Sequence, residues 1–119
     1  MHKLLIVEDD LLLDEAYRAK FEEKYDLRVA TDGEKGIEMA KNWIPEAIVL
    51  DIFLVGKLNG IDVLNELKRD QRTKDIPVMV ITNLPDIMDK VLLLGAAKCF
   101  MKTDVDLNLV DESLRDLLK

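Results

Sequence analysis

The sequence predicts a doubly wound α/β fold in which five parallel strands alternate with five helices. Three observations favour this class: five short apolar runs lie along the chain, amphipathic helical patterns lie between them, and the connections are short. Several of the apolar runs are continuous rather than alternating, which is typical of strands covered on both faces. Right-handed crossovers would then place helices on both sides of the sheet.

The predicted elements follow one another in strict alternation. Strands are expected at residues 4–7, 27–30, 47–50, 78–81 and 99–101. Between and after them, apolar residues recur at helical spacing in five sets: Leu13, Tyr17 and Phe21; Ile37, Ala40 and Trp43 or Ile44; Ile61, Leu64 and Leu67; Met88, Val91 and Leu92; and Val110, Leu114 and Leu117.

Residues that favour helix ends support the same division. Short polar side chains cap helix N-termini, proline suits the first helical position, and glycine suits the position after the last. The expected ends are Asp32 for the second helix, Asn59 with Gly60 before the third, Pro85 and Gly95 around the fourth, and Asp104 or Asp106 for the fifth. Asp10 is expected to cap the first helix or face solvent.

Length, charge and cysteine content limit the class of protein. With 119 residues, the chain has material for one good core, so a single domain is expected over residues 1–119. A net charge of -7, from 17 basic and 24 acidic side chains, argues against nucleic acid or an anionic membrane as a direct partner. The single cysteine, Cys99, excludes an internal disulfide. With no secretory signal or long apolar run, a cytoplasmic location is expected.

Five polar residues follow strands in positions where the carboxyl ends of a parallel sheet meet. Glu8 and Asp9 follow the first strand and Asp51 the third, while Thr82 and Lys102 follow the fourth and fifth. Each acid alone would be read as a helix cap, but their joint placement favours a functional site. Clustered carboxylates would repel one another unless a divalent cation and an ammonium group neutralise them. The set therefore predicts a site for phosphoryl chemistry.

The chain resembles the receiver domain of two-component response regulators over essentially its whole length. The matching stretches are LLIVEDD at 4–10, IVLD at 48–51, NG at 59–60, VMVIT at 78–82 and GAAKCFMK at 95–102. The resemblance, to a stand-alone receiver like those of chemotaxis, implies a flavodoxin-like (βα)5 fold with strand order 2-1-3-4-5. It also implies a signalling phosphoacceptor rather than an enzyme.

The resemblance assigns a role to each residue of the set. It implies that Asp51 accepts a phosphoryl group from a histidine kinase or a phosphotransfer protein. It implies that Mg²⁺ is held by Asp9, Asp51, Glu8 and the main-chain carbonyl of Phe53. Thr82 and Lys102 would neutralise charge on the phosphoryl oxygens. Mg²⁺ usually retains water, so a site with a small number of carboxylates and room for water and a phosphoryl oxygen suits it better than a closed protein cage.

Other uses of the same fold agree less well with the sequence. A haloacid-dehalogenase-like phosphatase needs a second acid two residues after its nucleophile, where this chain has Phe53. The chain lacks the glycine-rich loop that a nucleotide-binding domain uses to hold phosphate. A flavin-binding domain would have hydroxyl side chains after the first strand, where this chain has acids. The remaining alternative is an interaction module of the same fold that does not respond to phosphorylation.

The chain departs from the family pattern where activation is usually relayed. Cys99 stands where the family has an aromatic residue, and Thr103 stands where it has a proline in a cis bond. A trans bond is expected before Thr103, since a non-proline cis bond costs roughly 3 kcal/mol. If the natural chain ends at Lys119, the expected output is binding to a downstream protein, through the fourth helix and the fifth strand. In the apolar run at 91–94, Leu93 is the member expected to be exposed.

Overall fold

The chain folds as one parallel sheet with helices on both faces, in a computed structural model that describes residues 1–52, 56–103 and 106–119. The strands are β1 (Lys3–Val7), β2 (Asp26–Ala30), β3 (Ala47–Asp51), β4 (Val78–Thr82) and β5 (Lys98–Met101). They are all parallel and lie in the order β2-β1-β3-β4-β5. The predicted fold class and the strand order implied by the resemblance are both confirmed.

Five α-helices connect or follow the strands. They are α1 (Leu11–Phe21), α2 (Gly33–Trp43), α3 (Gly60–Arg69), α4 (Met88–Leu93) and α5 (Leu107–Leu117). A 3₁₀ turn, Pro85–Ile87, precedes α4, so Pro85 begins this turn rather than the α-helix itself. The reason is local: Leu84 has no side-chain acceptor to cap a helix, and its carbonyl instead accepts the Ile87 N–H at 3.2 Å. No helix among the described residues is long and apolar enough to cross a bilayer.

Capping side chains fix the start of four helices. The Asp10 carboxylate accepts the N–H groups of Leu12 and Leu13, and the Asp32 carboxylate caps α2 by accepting the Lys35 N–H, as predicted. Asn59 and Asp62 form a reciprocal capping box at the start of α3. Asp106 caps α5, whereas Asp104 lies outside the described residues.

Apolar side chains form one layer on each face of the sheet. Helices α2, α3 and α4 cover one face and α1 and α5 cover the other. Successive strand residues point to opposite faces, so the strands contribute side chains to both layers. All five residues of β3 and of β4 are buried, which explains the four consecutive apolar residues that precede Asp51 and Thr82 in these strands. Trp43 packs against the first layer, and Ile44 lies beyond the end of α2 with an exposed fraction of 41%.

The carboxyl ends of the strands meet at one edge of the sheet. Val7 lies beside Leu50, Asp51 beside Ile81, and Thr82 beside Met101. The ladder continues just past the strands, since the Glu8 N–H donates to the Ala30 carbonyl and the Lys102 N–H donates to the Thr82 carbonyl, at 3.0 and 2.7 Å. This hydrogen bonding places the polar residues that end β3 and β4 and those that follow β1 and β5 along a single edge.

Candidate functional site

Three carboxylates converge at this edge, in the arrangement that the sequence predicts. Glu8, Asp9 and Asp51 each offer one oxygen, and these three oxygens all lie within 4.8 Å of one another. Glu8 and Asp51 are buried, with exposed fractions of 2% and 4%, while Asp9 is half-buried. Asp10, the next acid along the chain, caps α1 and is exposed.

The electrostatics of the cluster favour a cation. The pKa of Glu8 is raised to about 8: burial is the largest cause, a hydrogen bond with Asp51 adds to it, and the hydrogen bond with Lys102 offsets part of the increase. Glu8 therefore retains a proton in neutral solution when no metal ion is bound. Oxygen donors of this kind, at this spacing, fit a hard divalent cation such as Mg²⁺, which would displace that proton.

Lys102 contributes an ammonium group to the same cluster. Its Nζ lies 2.9 Å from Glu8 Oε1 and 3.3 Å from Asp51 Oδ2. Burial alone would lower the pKa of Lys102, but the hydrogen bond to Glu8 and the charge of Asp51 outweigh it, and the pKa is raised. The ammonium is therefore charged at neutral pH and is in contact with Asp51.

Thr82 brings a buried hydroxyl to the end of β4. Its exposed fraction is 0%, and its Oγ1 accepts the Leu84 N–H at 3.0 Å. Because that bond uses an oxygen lone pair, the hydroxyl proton remains available for donation to another group. Phe53, whose carbonyl the resemblance adds to the metal ligands, lies outside the described residues.

The two departures from the family pattern occupy ordinary positions in the fold. None of the described peptide bonds is cis, so the bond before Thr103 is trans, as expected. Cys99 packs against the layer under α2, α3 and α4, while Phe100 packs against the opposite layer. Burial raises the pKa of the Cys99 thiol.

Two residues of α1 near the site were not singled out from the sequence. Tyr17 is buried, and burial, followed by the charges of Glu8 and Asp51, raises its pKa. Asp14 has an exposed fraction of 4%, and burial raises its pKa to about 6. The helical spacing of Leu13, Tyr17 and Phe21 predicts that Tyr17 faces the core, but no sequence signal predicts a buried Asp14.

Comparison with known proteins agrees with this fold and site. The family described as "Response regulator receiver domain" matches residues 4–114. The chain is 39% identical over 92 residues to the "DNA-binding dual master transcriptional regulator RpaA" of a Synechocystis species, covering 76% of this chain and 38% of that protein. It is 34% identical over 113 residues to the "Transcriptional regulatory protein CpxR homolog" of Haemophilus influenzae, covering 92% and 48%. The chain spans less than half the length of these two relatives.

Solved structures share the same fold. The Francisella response regulator 1452 receiver domain superposes with a TM-score of 0.90 at 23% identity, covering 99% of this chain and 97% of that one. The Vibrio cholerae chemotaxis protein CheY4 gives 0.88 at 18% identity, covering 99% of both chains. With the family match, these comparisons show that the chain belongs to the response regulator receiver domains of two-component systems. Such domains are signalling modules that interact with histidine kinases and downstream targets.

Proposed function

We propose that this domain is a phosphoacceptor in which Asp51 takes a phosphoryl group from a phosphohistidine of a kinase or phosphotransfer protein. The observation that carries the proposal is the position of Asp51, which contacts the Lys102 ammonium and shares an oxygen cluster with Glu8 and Asp9. Membership of the receiver family supports the same role.

The residues at the sheet edge suit in-line phosphoryl transfer. An Asp51 oxygen attacks phosphorus, the bond from phosphorus to the donor imidazole breaks, and an acyl phosphate forms on Asp51. Lys102 Nζ is in position to neutralise a phosphoryl oxygen, and the Thr82 hydroxyl has a proton to donate to another. These positive and donor groups offset the charge that develops on the equatorial oxygens.

Glu8, Asp9 and Asp51 would hold Mg²⁺, and the resemblance adds the carbonyl of Phe53. When bound, Mg²⁺ supplies positive charge to the carboxylates and to the phosphoryl oxygens. The raised pKa of Glu8 supports a cation at this position. A buried carboxyl that is protonated when no metal ion is bound becomes a good ligand once a cation replaces the proton.

The phosphorylated state would change binding to a downstream protein, and α4 with β5 is the face we propose for this contact. Leu93 has an exposed fraction of 88% and Leu92 of 45%, while Val91 in the same run is buried. Cys99 cannot act as an aromatic rotamer switch, so any relay from Asp51 to this face uses other residues. The alternative function is a binding module that does not depend on phosphorylation.

Intact-mass measurement after treatment with acetyl phosphate and Mg²⁺ separates the two functions. The wild type is expected to gain one phosphoryl group, and Asp51→Asn is expected to gain none, because an amide cannot form the acyl phosphate. Asp89→Asn, at an exposed position in α4, is the matched control and should be labelled like the wild type. An unlabelled wild type would favour the alternative, whereas equal labelling of Asp51→Asn would show that Asp51 is not the acceptor.

A further inference from the structure

The strand β2 lies at one edge of the sheet and has main-chain polar groups that face outward. Among the described residues it pairs with β1 alone. The Asp26 N–H donates to the His2 carbonyl, so the main-chain groups of Asp26 turn toward β1. Because these groups alternate in direction along a strand, those of Leu27 and Val29 point away from the sheet. An edge of this kind can pair with another extended segment.

A basic groove lies beside this edge, between β2 and α2. The side chains of Leu27 and Val29 pack in the layer under α1 and α5, so Arg28, between them, lies on the α2 side. The groove has a volume of about 530 Å³ and is lined by Arg28, Lys35, Glu38, Met39, Asn42 and Trp43. Two of these side chains are basic and one is acidic, in a chain whose net charge is -7. The groove is therefore opposite in charge to the chain as a whole, which favours an anionic ligand.

Arg28 has a guanidinium that is fixed in place but not paired. Its Cζ lies 4.4 Å from the centroid of the Trp43 ring, and its side chain is exposed. In the part of the chain that the structure describes, Arg28 forms no ion pair with a carboxylate. Lys35, the other cation of the groove, has a long contact of 3.8 Å with Asp32. Stacking on the indole orients the guanidinium plane and leaves its N–H donors available to a carboxylate.

A second copy of the chain does not suit this edge. Two β2 strands that pair about a two-fold axis, with Leu27 and Val29 of both copies in hydrogen bonds, would be centred on Arg28. The two Arg28 side chains would then face each other at a non-hydrogen-bonded pair, where side chains lie closest. Like charges at such a pair are destabilising, whereas opposite charges are stabilising. The edge therefore favours a segment with an acidic residue opposite Arg28 and apolar residues beside Leu27 and Val29.

We propose that the β2 edge and its groove bind an extended acidic segment of a partner protein, which adds to the sheet as a sixth strand and places a carboxylate against Arg28. The main-chain groups of Leu27 and Val29 supply hydrogen bonds, and Arg28 and Lys35 supply the preference for an acid. The described residues that line the groove are all different from those of the proposed phosphoryl site. This binding function is therefore separate from the role proposed for Asp51.

Trp43 allows a specific test, because it is the single tryptophan of the chain and lines the groove. The domain, without Mg²⁺ or a phosphodonor, is titrated with the end-blocked peptide GTVEVTG, in which two valines flank the acid. We expect a saturable change in tryptophan emission. The peptide GTVKVTG, with lysine in place of glutamate, should bind roughly fivefold more weakly, because it places like charges across two strands.

Charge reversal and a main-chain block test the two parts of the proposal separately. Arg28→Glu should reverse the preference, so that GTVKVTG binds more tightly than GTVEVTG. Arg18→Glu makes the same change at an exposed position of α1 and should keep the wild-type preference. Lys35→Glu, which retains the contact between Arg28 and Trp43, should weaken binding of GTVEVTG. Replacing both valines by N-methylvaline keeps their side chains but removes the N–H donors, and should abolish the response.

Several results would overturn the proposal. One is the absence of a saturable change with GTVEVTG up to millimolar concentration in the wild type. Equal binding of the N-methylated peptide would rule out strand addition, and an unchanged preference in a folded Arg28→Glu variant would rule out the charge contact. A response to sodium acetate as strong as that to the peptide would show a site for a small anion instead. Each of these results leaves the proposed role of Asp51 unaffected.

Discussion

Ile44 adopts a backbone conformation that its side chain disfavours. It ends α2 with φ 52° and ψ 67°, in the left-handed region, and its N–H donates to the Ala40 carbonyl. A Cβ in this region costs roughly 1–2 kcal/mol, and β-branched residues adopt it rarely. Glycine at this position would avoid the contact between Cβ and the following carbonyl oxygen.

Replacing Ile44 is therefore expected to stabilise the domain. Ile44→Gly should raise the free energy of unfolding by roughly 1 kcal/mol, after allowance for the greater entropy of glycine in the unfolded chain. Urea denaturation followed by circular dichroism measures the change. Ile44→Ala is the control, because it removes the same apolar side chain but keeps the Cβ. A glycine variant less stable than the alanine variant would show that backbone strain is not the dominant cost.

Residue types and their positions allowed most of the candidate site to be predicted, but its internal contacts could not be. Glu8, Asp9, Asp51, Thr82 and Lys102 were recognisable because each lies at the end of a strand or just after it, and parallel strands bring their carboxyl ends to one edge. The contact between the Lys102 ammonium and Glu8 depends on side-chain rotamers that no spacing specifies. The burial of Asp14 depends on how the end of the sheet packs on α1, and a lone aspartate in a helix normally indicates a solvent-exposed position.

At the scale of elements, the first turn of α3 is held against the end of β3 by a glycine. A Cβ at Gly60 would lie 2.4 Å from Ile52 Cα and 2.6 Å from the Asp51 carbonyl oxygen. Both are backbone atoms, so the helix or the segment that carries Asp51 would have to move. We expect Gly60→Ala to destabilise the fold by roughly 1–3 kcal/mol and to slow phosphorylation by acetyl phosphate.

Gly36 supplies a matched comparison in α2. A Cβ there would lie 2.9 Å from both γ-methyl carbons of Val7, which are side-chain atoms. The loss of stability in Gly36→Ala should therefore be partly recovered in the double variant with Val7→Ala, as measured by thermal melting. Phosphorylation should be affected less than in Gly60→Ala. If Gly60→Ala is phosphorylated at the wild-type rate, the helix start does not control the position of Asp51.

Elements with a strong local signal were predicted well, and the exception is a region that lacks one. Asp32, Asn59 and Asp106 cap their helices with side-chain acceptors, so these residue types indicated from the sequence where the helices begin. The segment that begins at Pro85 has no such acceptor before it, and it forms a 3₁₀ turn before the short helix α4. Without a side-chain acceptor to satisfy the first N–H groups of an α-helix, the Leu84 carbonyl accepts the Ile87 N–H and the turn takes 3₁₀ geometry.

At the scale of the whole molecule, two buried acids make the stability of the metal-free domain depend on pH. Folding raises the pKa of Glu8 from 4.5 to about 8 and that of Asp14 from 3.8 to about 6. Between these values the folded chain binds more protons than the unfolded chain, so the free energy of unfolding falls as pH rises. The stabilisation is complete below about pH 4 and lost by about pH 8, with Glu8 acting over the wider range.

Melting curves at several pH values, with and without Mg²⁺, should show this dependence. Without Mg²⁺ the melting temperature should fall from pH 5 to pH 8, by about 4 °C for each 1 kcal/mol lost. Millimolar Mg²⁺ should raise it most at pH 8, because there the cation competes least with the Glu8 proton. Glu8→Gln, which keeps a neutral side chain at every pH, should flatten the metal-free curve, whereas Glu15→Gln should not. A melting temperature that rises from pH 5 to pH 8 without metal would mean that Glu8 is ionised in the folded chain, and the electrostatic basis of the proposed cation site would be wrong.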